Sequence, residues 1–136
     1  LSALGKIVAL AWFTVKDDQH GRAFVAFSAD SGRTFGPPIR LDDVASTGRV
    51  DVDLLEDGSA AASWIEFAKE RAEFRVRRVE PSGAKSPAVS IAGIDSGRTS
   101  GYPRLAANGN ELLFAWTERE AGTLRVRTAG NRRSGG

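Results

Sequence analysis

The chain has 136 residues, 41% of them hydrophobic and 26% charged, with 15 glycines, no cysteine and a formal net charge of +2. That is enough apolar content to bury a core, with no low-complexity stretch, and the lack of cysteine excludes disulfides, thiol catalysis and thiolate zinc sites. So small a charge gives no argument for nucleic acid, and no run approaches the ~18 apolar residues of a membrane-spanning helix.

From the N-terminus, Gly5 precedes an apolar run, 7–12, that closes at Trp12. A polar turn, Lys16-Asp17-Asp18-Gln19-His20-Gly21, follows. It holds the only histidine, His20, which is read as a solvated loop residue although it is the one base available to a Ser–His–Asp arrangement. A strand is predicted over 23–28, then the octapeptide Ser28-Ala29-Asp30-Ser31-Gly32-Arg33-Thr34-Phe35, then an outer strand near 38–42. In that octapeptide Ser28 and Asp30 can accept bonds from nearby backbone N–H groups, Gly32 can take positive φ, and Phe35 is placed to plug the turn onto its sheet. Asp17-Asp18 and Asp42-Asp43 are read as turn carboxylates, because neither pair has the spaced oxygen ligands of a calcium loop.

The second stretch repeats the plan. Gly48-Arg49-Val50-Asp51-Val52 reads as an inner strand, Gly58 opens the run 60–64 ending at Trp64, and strands follow at 74–79 and 88–92, joined by Pro81-Ser82-Gly83. After the Trp64 run, 66–74 contains good helix formers and no Gly or Pro, so propensity alone predicts a helix. The long-range repeat predicts a hairpin turn near 68–72 instead, and the repeat is preferred because tertiary context overrides propensity. Arg75, Arg77, Arg78, Arg125 and Arg127 are read as solvated strand faces.

A second Asp-Ser-Gly-Arg-Thr string, Asp95 to Thr99, stands out of register and is read as a connecting loop. Gly101-Tyr102-Pro103-Arg104-Leu105 matches the inner strand at Gly48, Gly109 opens the run to Trp116, and a further strand is predicted over 124–128. Trp12, Trp64 and Trp116 are spaced by 52 residues each time, a period close to that of four-stranded propeller blades. The three runs are apolar on both faces, as for strands sandwiched between neighbouring units. Three units follow, about 1–43, 47–93 and 100–129, with 130–136 as a flexible tail; the first and last are incomplete, since Leu1 lies as far before Trp12 as Leu105 does before Trp116. An open arc would leave apolar faces in water, so self-association or missing blades are expected.

The octapeptide around Ser28, Asp30, Gly32, Thr34 and Phe35 resembles the Asp box of sialidase-like (BNR) repeats, whose usual last residue is Trp. The resemblance implies an all-β fold, a partial β-propeller of about three four-stranded antiparallel blades forming the C-terminal part of a longer propeller. It also implies an extracytoplasmic, secreted or periplasmic, setting. Sialidases use an arginine triad for the substrate carboxylate, a Tyr nucleophile activated by Glu, and an Asp acid. The element from Gly101 to Glu118 is similar to the one that carries that nucleophile, but has Pro103 where Ser is common, and Tyr102 is the only tyrosine.

Two readings follow. The first is a non-catalytic binding or scaffold module that recognises glycans, with Arg49, Asp51, Tyr102 and Arg104 facing a central channel. The second is a fragment of a sialidase-type glycoside hydrolase with Tyr102 as nucleophile and its other catalytic residues elsewhere. The first is favoured because no acid or arginine triad can be assigned; no metal or cofactor is expected, and the glycines open no phosphate-binding helix.

Overall fold

The computed structural model describes residues 1–15, 21–68, 71–94, 102–109 and 111–132. They form eleven strands: β1 (Ser2–Leu4), β2 (Ile7–Val15), β3 (Gly21–Ser28), β4 (Ile39–Arg40), β5 (Ser46–Leu54), β6 (Ala60–Ala68), β7 (Arg71–Val79), β8 (Val89–Ile94), β9 (Arg104–Asn108), β10 (Glu111–Glu120) and β11 (Thr123–Arg132). These make three antiparallel sheets in simple up-and-down order, β1-β2-β3-β4, β5-β6-β7-β8 and β9-β10-β11, and none closes on itself. Each Trp-bearing run is the second strand of its sheet. β-branched and aromatic residues dominate the first of these runs because they fit a pleated, packed surface, whereas the middle one is mostly alanine around Trp64, Ile65 and Phe67.

The strands are joined by tight turns. In the β10–β11 hairpin, Glu120 pairs with Thr123, and the two central residues, Ala121 and Gly122, have φ of 51° and 80°. Two positive values mark the primed turn whose twist suits antiparallel strands. The helix-prone stretch is a hairpin too: Glu66 pairs with Glu73 and Ala68 with Arg71, so 66–68 and 71–74 are strand, and the turn residues 69–70 lie outside the described residues. The tertiary pairing of β6 with both β5 and β7 overrides local preference here.

The sheets pack face to face. Ala9, Val25 and Leu41 of the first sheet and its adjoining loop meet Val52, Ala62 and Trp64 of the second. The other side of the second sheet, with Ala61, Ile65 and Phe74, meets Leu105, Phe114 and Trp116 of the third. Phe74 is the hinge of that second core, edge-on to Phe114 at 6.0 Å and tilted against Trp116 at the same distance.

Burial on both faces is therefore a property of the middle sheet, where Ala60 to Glu66 are all buried. The outer sheets depart from the expectation, since Leu113, Leu124 and Val126 on the outer face of the third sheet are exposed and Val8, Leu10 and Trp12 on the outer face of the first are only half-buried. The physical reason is position: each outer sheet has a neighbour on one side. The third sheet has three strands, and β11 continues to Arg132, so 130–132 belong to a strand rather than a tail; 133–136, Asp17, Asp18, His20 and the string Asp95 to Thr99 lie outside the described residues.

Candidate functional site

The octapeptide forms the turn between β3 and β4, and its polar side chains are spent on its own backbone. Ser28 Oγ donates to Asp30 Oδ1 at 2.7 Å and accepts the N–H of Gly32 at 2.9 Å. Asp30 accepts the Thr34 hydroxyl at 2.6 Å and the Thr34 N–H at 2.9 Å. Ser31 and Gly32 both carry positive φ, 62° and 86°, and the Ser31 N–H reaches the Lys6 carbonyl at 2.9 Å, tying the turn to the β1–β2 hairpin. Phe35 is 41% exposed and only partly covers its sheet. It lines an open apolar groove of about 420 Å³ with Ile7, Phe27, Ile39 and Pro81.

The corresponding turn after β7 lacks the carboxylate. The Gly83 N–H bonds to the Glu80 carbonyl at 2.9 Å instead, so backbone replaces side chain.

The Thr34 hydroxyl and amide, then the Ser28 hydroxyl, lower the Asp30 pKa from 3.8 to about 2. A carboxylate whose folded pKa is depressed stabilises the fold above its unfolded pKa, and that stabilisation is lost as pH falls through the folded value. The Asp30 carboxyl carbon should titrate with a midpoint near about 2 by NMR. Asp30→Asn should remove the part of the acid destabilisation that falls between about pH 4 and 2; a midpoint at the ordinary value would show that the turn does not hold.

The four residues expected to share a channel rim do come together, along the first strands of the second and third sheets. Arg104 Nε donates to Asp51 Oδ2 at 3.1 Å, and the Leu105 N–H donates to the same oxygen at 2.9 Å. The Tyr102 hydroxyl donates to the Val50 carbonyl at 2.7 Å. Partial burial of its ring and the Asp51 charge raise the phenol pKa above 10.0, the direction opposite to that of an activated nucleophile. Arg49 sits beside this group in the left-handed region, with φ of 56°, where a bulge interrupts the pairing of β5 with β6. Positive φ is uncommon in a non-glycine residue, and here it accompanies the bulge, with Gly48 beside it at 95°. Tyr102 and Arg104 are both exposed, so the cluster offers a phenol face and the Arg104 guanidinium to solvent.

Asp51 is half of a ladder. Asp53 Oδ2 accepts the Ala107 N–H at 2.8 Å, and Ser2 Oγ donates to Asp53 Oδ1 at 2.8 Å while accepting the Leu54 N–H at 3.0 Å. These bonds join the first strands of all three sheets through side chains. Asp51 thus combines an ion pair to Arg104 with a backbone amide, whereas the bonds of Asp53 go to the Ser2 hydroxyl and the Ala107 amide.

Two sets of charged residues differ from the sequence reading. Asp42 is buried, accepting the Ala23 N–H at 2.7 Å and a two-pronged contact from Arg40 at 3.1 and 2.7 Å, so it is a core acceptor rather than a turn carboxylate. Asp43 pairs with Arg77 at 3.1 Å. Arg77 is itself buried, with its guanidinium 5.4 Å from the centre of the Trp64 ring. The cation is stabilised there by Asp43 and the ring together, which is why it leaves the solvated strand face.

Glu66 was not singled out as a site residue by sequence. Its carboxylate is fully buried. One oxygen accepts the Asp43 N–H at 2.9 Å and the Trp64 indole N–H at 3.1 Å; the other accepts the N–H groups of Val44 and Ala45 at 3.1 and 2.7 Å. It clamps the segment that leads from the first sheet to the second. Trp116 and Glu118 repeat the indole-to-carboxylate bond at 2.9 Å, so Trp-x-Glu, present twice in the sequence, was the signal that could have revealed it.

No protein-family model matches this chain, and no curated protein matches it. Among the described residues, no three His, Asp or Glu side chains gather as metal ligands, and no helix is long and apolar enough to cross a membrane.

Proposed function

We propose that the three sheets are blades of a partial β-propeller of the sialidase-like type, and that the chain is a non-catalytic binding module. Its ligand surface is the rim formed by Arg49, Asp51, Tyr102 and Arg104, and its ligand class is an acidic carbohydrate. The repeat of 52 residues, the side-by-side stacking of up-and-down sheets and the hydrogen-bonded Ser-x-Asp-x-Gly-x-Thr turn support the blade reading.

The observation that carries the binding reading is the state of Tyr102. Its hydroxyl donates to a backbone carbonyl, and its proton is held more tightly than in free phenol. A nucleophilic tyrosine needs a base to take that proton. An exposed aromatic ring beside two arginines instead suits a sugar face and an attached carboxylate, because guanidinium groups pair with carboxylates in fixed geometry.

Titration of labelled protein with N-acetylneuraminic acid should shift the amides of Val50, Arg104 and Leu105, and Arg104→Ala should weaken the response by about tenfold, the loss expected for one charge-assisted contact of ~1.5 kcal/mol. A neutral hexose should give a weaker response. Equal shifts with both sugars, or none with either, would remove the ligand assignment. Hydrolysis of a sialoside that is lost in Tyr102→Phe would replace it with the hydrolase reading.

A further inference from the structure

We infer that this chain associates head to tail with a second copy of itself, the outer face of the third sheet of one copy seating on the outer face of the first sheet of the next. The inference comes from the repeated contact within the chain. The first sheet meets the second through Ala9, Ala23 and Val25, and the second meets the third through Ala61, Phe74 and Val76. Strand register makes these equivalent positions: Ala11 pairs with Val25, Ser63 with Val76 and Ala115 with Thr128. By the same register Leu113, Leu124 and Val126 of the third sheet correspond to Ala61, Ala72 and Phe74 of the second.

The exposures then fall into a pattern. Ala61, Ala72 and Phe74 are 1%, 5% and 0% exposed, whereas Leu113, Leu124 and Val126 are 49%, 53% and 72% exposed. The third sheet therefore carries the apolar donor half of a contact the chain makes twice already, with nothing on it. The acceptor half is also present. Ala60, Ala62 and Trp64, which receive the first sheet, correspond to Val8, Leu10 and Trp12, and these lie on the side of the first sheet turned away from its core. Trp12 stacks on Phe24 there with ring centres 5.7 Å apart.

Two unlike faces that fit each other, at opposite ends of one chain, define a heterologous contact. Two copies joined at both ends make a closed pair; if the rotation does not close, the same contact builds an open chain. The inference shares the stacking of sheets with the blade reading above, but uses no ligand, so a monomeric chain would overturn it and leave the sugar titration to decide that reading.

Light scattering on the eluting protein should give about twice 14.5 kDa, or a mass that climbs with concentration for the open chain. A constant mass of 14.5 kDa across concentrations would overturn the inference. Leu10→Asp and Val126→Asp each spoil one face, and each alone should be monomeric with an unchanged β-sheet circular dichroism spectrum. Mixing the two should restore a one-to-one pair, since each supplies the face the other lacks. If either variant alone still associates, or the mixture stays monomeric, the contact is not head to tail. Val8→Asp and Leu124→Asp form a second complementary pair to run should one of the first variants fail to fold.

Discussion

Glu66→Ala should destabilise the protein by about 3–5 kcal/mol, the range for removing one partner from a buried charged network. The loss is large because the substitution deletes a single acceptor but orphans four donors: three successive backbone N–H groups of the connecting segment and the Trp64 indole. Each buried donor left without a partner costs about 1–3 kcal/mol, less whatever water can enter to replace the carboxylate. Arg75 Nη1, 3.7 Å from the same carboxylate, would lose a counter-charge as well. Glu66→Gln keeps the shape but turns an NH2 group toward N–H donors, and should lie between wild type and alanine. Urea denaturation followed by tryptophan fluorescence checks both; an alanine variant within ~1 kcal/mol of wild type would show that the connecting segment holds its course without the carboxylate.

Trp64→Ala should cost a similar amount, about 3–5 kcal/mol, for a different reason. Trp64 is 0% exposed and lies in the core between the first and second sheets, so its removal leaves a cavity that two packed sheets cannot collapse to fill. Trp64→Phe retains most of the volume and loses the bond to Glu66 and much of the ring's attraction for Arg77, for about 1–2 kcal/mol. The two sites touch, so their effects should not add: Glu66→Ala combined with Trp64→Phe should fall short of the sum by at least ~0.5 kcal/mol. Full additivity would mean that the indole N–H and the carboxylate are independent.

How much of this was legible beforehand depends on the range over which each residue acts. The three tryptophans placed the second strand of every sheet, because the spacing of a repeat is imposed by the whole unit. The Ser28 to Phe35 turn was readable from residue chemistry alone, its partners lying within four positions of one another. Asp42 and Arg77 were not readable, because they take partners from distant stretches, Ala23 and Asp43, and of Glu66 only the bond to Trp64 two positions away had a sequence signal, its clamp on 43–45 being long-range. A charged residue in an alternating strand reads as solvated until the partner segment is known. Tyr102, Arg104 and Asp51 were grouped through the similarity of the two inner strands, but the amides of Leu105 and Ala107 as the carboxylates' partners were not foreseen.

Those two amides belong to β9, whose only strand neighbour among the described residues is β10. The other side of β9 is therefore a row of backbone groups of the kind that recruits strands from other molecules into fibrils. Asp51 and Asp53 occupy two of its N–H positions with acceptors that carry negative charge and cannot propagate a sheet. Their placement works as a guard on the edge of the third sheet, since a side-chain carboxylate ends the row of backbone pairing that an added strand would extend.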